Sequence, residues 1–163
     1  MSTATEPATV PVPAPAPRMA FHQLVPDVYR AMAELTRAAS AGLDPLLAEL
    51  VKIRASMING CAYCIDMHST DALKLGEGPH RIVALPAWRE TPFFTARERA
   101  ALALTEAVTL LTEGHVPDAV YDEAAARFDQ QEVARLISLI ATINAWNRFG
   151  VATRLSPPAR SRT

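Results

Sequence analysis

The sequence predicts an all-α fold, and three observations carry that reading. Apolar residues recur at a period near 3.6 along several segments, those segments open with helix-capping residues, and no stretch alternates apolar and polar residues as a half-buried strand would. The 163 residues are 50% hydrophobic, enough for one compact core.

Residues 1–18 are Pro/Ala-rich and almost uncharged, which predicts a disordered tail, because repeated prolines remove backbone donors and favour extended chain. Residues 19–155 show no internal repeat and no linker and read as one helical domain. Residues 156–163, opening with Ser156-Pro157-Pro158, read as a flexible tail.

Within the domain each helix has its own signals. Pro26 to Ser40 carries Val28, Met32 and Leu35 at apolar positions and stops near Gly42. Asp44 caps a helix that opens with Pro45, with Leu46, Leu47, Leu50, Ile53 and Met57 in phase. Asn59-Gly60 breaks it, and a new helix is expected from about Cys61 to Leu75, ending at Gly76. Thr95-Ala96-Arg97-Glu98 is a capping box, and the helix behind it puts Ala100, Leu104, Ala107, Val108 and Leu111 on one face. A shorter helix follows Pro117. Asp129 to Glu132 opens the last one, which carries Val133, Leu136, Ile137, Ile140 and Ile143.

Sixteen basic residues against seventeen acidic give a net charge of −1, which argues against a nucleic-acid partner or an anionic membrane surface. The apolar runs fall short of the roughly 20 residues that cross a bilayer. The N-terminus lacks a basic region followed by an unbroken apolar stretch, so a cytoplasmic location is expected. In a reducing cytosol a close cysteine pair points to catalysis or metal binding rather than to a structural staple.

Such a pair is present. Cys61 and Cys64 are the only cysteines, and His68 follows four residues after the second. On a helix, Cys61, Cys64 and His68 share one stripe. Cys61 would occupy the first turn, where free N–H groups and the positive end of the dipole favour thiolate. The imidazole, one turn from Cys64, could accept its proton or pair with its thiolate. This arrangement supports a dithiol/disulfide cycle in which one sulfur attacks and the other resolves. Two other readings are open on the residues alone. Cys61, Cys64, His68 and a fourth group could bind zinc, although no second cysteine pair exists. The cysteines could also be two small buried hydrophobes beside a capping or core histidine.

The stretch from Glu49 to His68, ending Ile58-Asn59-Gly60-Cys61-Ala62-Tyr63-Cys64-Ile65-Asp66-Met67-His68, resembles the alkylhydroperoxidase D-like, carboxymuconolactone decarboxylase superfamily. Ala72-Leu73-Lys74-Leu75-Gly76 continues the resemblance, and Asn144-Ala145-Trp146-Asn147-Arg148-Phe149-Gly150 adds a weaker match. The resemblance implies an all-α homo-oligomer, trimer or hexamer; no cofactor or bound metal is expected. It implies a peroxidase reaction in which Cys64 attacks the hydroperoxide and Cys61 resolves the sulfenic acid as a disulfide. Glu49 and His68 fall at the positions of the proton relay. A hydroperoxide or disulfide would be the substrate, and a dithiol, such as a lipoyl-bearing protein, the reductant. The peroxidase branch carries a histidine where this chain has Tyr63, an auxiliary candidate whose phenol, with a pKa near ~10, donates a hydrogen bond more readily than it acts as a base. The decarboxylase branch typically lacks the cysteine pair, so lactone decarboxylation is not expected. The alternative to an enzyme is a helical oligomer that senses oxidants or binds a partner, with the disulfide as a switch and little turnover.

Other residues read more plainly. By helical phase alone Glu49 is a solvated residue, and only the family spacing makes it a site group. Asp66 decorates the exposed side of the site helix. Asn144 reads as a hydrogen-bonded core asparagine, with an oligomer contact as the second reading. Trp88, Phe93 and Phe94 lie between predicted helices and read as core or interface packing rather than a pocket wall. His22, His80 and His115 carry no site signal.

Overall fold

The computed structural model describes residues 12–159. The tail expectations for residues 1–11 and 160–163 lie outside the described residues. In chain order come α1 (Phe21–Leu24), α2 (Pro26–Ser40), α3 (Pro45–Asn59), α4 (Ala62–Lys74), α5 (Pro79–Ala84), a 3-10 segment (Leu85–Glu90), α6 (Ala96–Thr109), α7 (Asp118–Arg127) and α8 (Gln130–Thr153). No strand occurs among the described residues.

The expected punctuation sets the boundaries. Pro26 and Pro45 stand in the first turns of α2 and α3, where a missing N–H costs nothing. Asp44 Oδ1 accepts from Leu47 N at 2.9 Å. Gly60 ends α3 in the left-handed region at φ +66°, a conformation that strains any residue with a Cβ. Both capping boxes form, Thr95 with Glu98 and Asp129 with Glu132.

α3 is the central helix. It packs against α4, α6 and α8. One side of it contributes Ala48 and Val51 to a core with Leu104, Leu136 and Ile140. The other contributes Leu50 and Ile53 to a core with Ala72, Leu85, Trp88 and Leu102. Its C-terminal turn adds Ala55 to a third, smaller cluster with Cys61, Cys64 and Ile143. The dithiol therefore lies inside the bundle, between α3 and α8.

A half-buried carboxylate clamps this arrangement. Glu106 on α6 accepts from Arg54 Nε on α3 at 2.9 Å and from Trp88 Nε1 at 2.8 Å, and pairs with Arg89. Burial alone would push this carboxyl up, but the bonds from Trp88, Arg89 and Arg54 outweigh it and hold it below its ordinary value.

The structure corrects several sequence expectations. α4 opens at Ala62, so Cys61 is its N-cap rather than a first-turn residue, with an extended backbone. α6 stops at Thr109, because Leu110 leaves the helical region, and Leu111 is exposed in the turn that follows. The expected apolar faces are also partly open: Val28, Leu35 and Ile137 are exposed. Trp88, in the 3-10 segment between α5 and α6, and Phe94 pack in the core as expected, whereas Phe93 is exposed. α1, α5 and the 3-10 segment are too short to show a period.

Candidate functional site

The two sulfurs lie 3.0 Å apart, both thiols free and both residues buried. A disulfide needs about 2.05 Å between sulfurs, so the pair can close with a small shift. Gly60 makes this possible by turning the chain so that Cys61 ends up over the start of α4, one turn ahead of Cys64.

The sulfurs do not stand alike. Cys64 lines a cavity of about 640 Å³, while Cys61 is absent from its walls and lies behind, 1% exposed. Charge is also split between them. A hydrogen bond from the Cys64 thiol favours thiolate on Cys61, against burial, helped by the N–H groups of Cys64 and Tyr63 and by Asn147, and the Cys61 thiol falls to about 6. The Cys64 thiol is pushed up by the same bond, by burial and by the negative Cys61 beside it. The shared bond thus splits the pair, favouring negative charge on Cys61 and the proton on Cys64.

His68 stands one turn beyond Cys64 on α4 and lines the same cavity. Its Nδ1 donates to Glu49 Oε2 at 2.9 Å. The other carboxylate oxygen, Oε1, accepts from Lys52 Nζ at 2.5 Å. Burial would push the Glu49 carboxyl up, yet the bonds from His68 and Lys52 hold it below its ordinary value. An ionised Glu49 fixes the ring tautomer: the proton sits on Nδ1 and the lone pair of the neutral ring on Nε2. Glu49 is therefore buried in the site, not solvated as its helical phase suggested.

Tyr63 lines the cavity too, and burial pushes its phenol above the ordinary value, which keeps it a donor. Asn144 is the buried, hydrogen-bonded asparagine that its phase implied, donating to Thr109 Oγ1 and Ile140 O. His22, which gave no sequence signal, also lines the cavity. Among the described residues no three His, Cys, Asp or Glu side chains converge as metal ligands, and none of the helices is long and apolar enough to cross a membrane.

Sequence reasoning missed three contributors. Lys52 reads as an ordinary helix lysine, although its i+3 spacing from Glu49 was available as a signal. Asn147 is wholly buried on the face of α8 whose Ile143 and Gly150 pack against the dithiol. Gly150 lets α8 approach the dithiol: a Cβ there would come within 2.8 Å of Cys61 Sγ. The outer cavity wall is aromatic. Phe21 stacks on Phe149 with centroids 4.6 Å apart, and Trp146 meets Tyr29 edge-on at 5.1 Å. Arg18 fastens the chain before α1 to the end of α8 by bonds to Thr153 O and Ala152 O, both 2.8 Å.

Comparison with known proteins places this geometry in context. The carboxymuconolactone decarboxylase family profile matches residues 26–107. The Bacillus subtilis uncharacterized protein YdfG is 38% identical over 136 residues, which span 83% of this chain and 92% of YdfG. Among solved structures, ATU0492 of Agrobacterium tumefaciens, a protein of unknown function offered as an antioxidant defence protein AhpD, is 34% identical with a TM-score of 0.87, over 89% of this chain and 100% of that one. The debrominase Bmp8 shares the fold at 22% identity and a TM-score of 0.72, over 84% of this chain and 74% of its own.

Proposed function

The chain belongs to the carboxymuconolactone decarboxylase family, of the alkylhydroperoxidase D-like type, and we propose that it is a thiol-dependent peroxidase working through Cys64 and Cys61. The observation that carries this reading is the buried sulfur pair, 3.0 Å apart, with Cys64 on a cavity and Cys61 behind it.

In the resting pair the charge sits on Cys61, and Cys64 keeps the proton. Transfer along the shared hydrogen bond moves the thiolate to Cys64, so Cys61 serves as the base for its neighbour. Cys64 Sγ then attacks the outer oxygen of a hydroperoxide. An S–O bond forms, the O–O bond breaks, and the departing alkoxide takes a solvent proton relayed through Nε2 of His68, which Glu49 keeps oriented through Nδ1. Cys64 is left as a sulfenic acid. Cys61 Sγ attacks it, the S–S bond forms, and the hydroxide leaves as water. The Cys61 thiol gives its proton to that hydroxide, so the sum is ROOH, one thiol, one thiolate and one solvent proton giving ROH, water and one disulfide. A small or protein-borne dithiol, for which a lipoyl group is the candidate, reduces the disulfide by exchange. The proposal extends to a cytoplasmic location and to a homo-oligomer, trimer or hexamer; the exposed apolar Leu73, Leu75 and Val83 support association as such.

The test is steady-state consumption of an organic hydroperoxide with dihydrolipoamide as reductant. Many turnovers per chain support the enzyme. A single oxidation that then stalls replaces it with an oxidant sensor.

The aromatic wall formed by Phe21, Tyr29, Trp146 and Phe149 favours a second reading, reductive removal of halogen from a flat ring. There the dithiol supplies two electrons and two protons, and the ring leaves as Ar–H with HX and a disulfide. Halide release from a bromopyrrole, absent with hydroperoxide, would select it.

A further inference from the structure

Asn147 carries no role in the mechanism above, yet its amide is held in a single orientation from two directions. On one side, Ser56 Oγ donates its only proton to Lys52 O at 2.7 Å, so towards Asn147 it can only accept. Asn147 Nδ2 supplies that bond at 2.9 Å. On the other side, the chain of bonds begins at Ile140 O, a carbonyl that can only accept. It takes a proton from Asn144 Nδ2 at 2.9 Å, which turns Asn144 Oδ1 towards Asn59. Asn59 Nδ2 therefore donates to Asn144 Oδ1 and to Asn147 Oδ1, both at 2.9 Å.

Two backbone carbonyls, on α3 and α8, thus impose the same answer. Asn147 has its oxygen towards Asn59 and its NH₂ towards Ser56. One of the two amide protons is spent on Ser56. The other is left for the sulfurs: Ile143 and Gly150, one turn to either side of Asn147 on the same face of α8, pack against the dithiol, and the side chain between them is wholly buried.

We infer that Asn147 is the fixed hydrogen-bond donor that holds negative charge on the Cys61–Cys64 pair. It is a positioning residue: it acts through the sulfurs and does not touch substrate. The inference deepens the peroxidase reading and rests on that reading for its functional meaning. The physical reason is preorganisation. A donor locked by its neighbours loses no orientational freedom when thiolate forms, and a buried thiolate gains more from it than one in water. The same bond favours charge on either sulfur, so it supports the pair as the proton moves between them.

The test is the thiolate absorbance of the reduced, full-length protein against pH, without peroxide. The wild type is expected to show its first thiolate with a midpoint at about 6. Asn147→Ala should move that midpoint up by about one unit, and Asn147→Asp, which replaces the donor by an acceptor, by more. Circular dichroism checks that each variant is folded. If neither folds, Asn59→Ala carries the test: it leaves Asn147 in place but removes the partner that orients it, and a smaller upward shift is expected. A midpoint unchanged in the folded variants, or unchanged in Asn59→Ala, overturns the proposal. Because no peroxide is present, a shifted midpoint in a protein without peroxide turnover would uphold Asn147 while the enzymatic reading fell.

Discussion

Glu49 Oε2 lies 2.9 Å from His68 Nδ1, although the two residues are 19 positions apart and belong to different helices. Lys52 completes the group from the other side of the carboxylate. The three side chains form a buried chain of alternating charge and donor, and His68 brings it to the cavity beside Cys64. The carboxylate is the member whose charge has to be maintained: burial opposes it, and both neighbours sustain it.

Removing Lys52 should therefore raise the Glu49 carboxyl. In Lys52→Met the burial contribution is no longer offset on that side, and the titration of the Glu49 carboxyl, followed by infrared or NMR spectroscopy, should move up by about one unit, while the acid limb of the pH–rate profile, set by the Cys61 thiol at about 6, stays in place. Glu49→Gln, which still accepts from Nδ1–H but carries no charge, should lower kcat/KM by about a hundredfold across the profile. A carboxyl titration in the same place in Lys52→Met would remove Lys52 from the account.

Stability should follow the same group. A carboxyl lower in the folded chain than in the unfolded one stabilises the fold above the unfolded value of about 4.3 and loses that contribution as pH falls through the lower folded value. Melting temperatures from pH 6 down to pH 3 are expected to fall more steeply for the wild type than for Glu49→Gln.

Gly150 leaves α8 no room for a side chain against Cys61. Gly150→Ala brings a methyl group to 2.8 Å from Cys61 Sγ, so the sulfur or α8 has to shift. Overpacking of this kind costs about 1–3 kcal/mol. The cost should shrink in a Cys61→Ala background, where the clashing atom is gone, and denaturant melts of the four proteins in that cycle measure it. Equal costs in both backgrounds would mean that α8 does not press on the sulfur.

Access to Cys64 should depend on the aromatic wall. Phe21 is held mainly by its stack on Phe149 and by the two Arg18 bonds to α8, and α1 buries no residue completely. Loss of an aromatic pair worth about 1 kcal/mol raises the population of an open state roughly fivefold. In Phe21→Ala, alkylation by a bulky maleimide should accelerate by that factor relative to iodoacetamide. An unchanged ratio would show that substrates enter elsewhere.

The fold was legible where local chemistry and periodicity agree. Asp44-Pro45, Asn59-Gly60, Thr95 to Glu98 and Asp129 to Glu132 mark real helix ends because each satisfies or releases specific backbone groups. Cys61, Cys64 and His68 were legible because they lie within about two turns of chain. Glu49 was not visible from phase, since α3 is buried on several faces and a helix surrounded by neighbours has no single polar side to compare against. Asn147 and Lys52 were missed for a related reason: their partners come from other elements or other turns, and nothing local distinguishes them from an ordinary polar residue. The cavity wall escaped detection because α1 is a single turn, too short for a period, and is placed by Phe149 and by the carbonyls at the end of α8.

The most direct measurement is mass spectrometry of the protein after one equivalent of an organic hydroperoxide, in the wild type and in Cys61→Ser. The wild type is predicted to lose two hydrogens as a Cys61–Cys64 disulfide, and Cys61→Ser to carry a sulfenic acid on Cys64 that dimedone traps. Thiols that survive excess hydroperoxide in the wild type, or a trapped oxygen on Cys61 of Cys64→Ser in place of Cys64 of Cys61→Ser, would contradict the assignment of attack to the sulfur that faces the cavity.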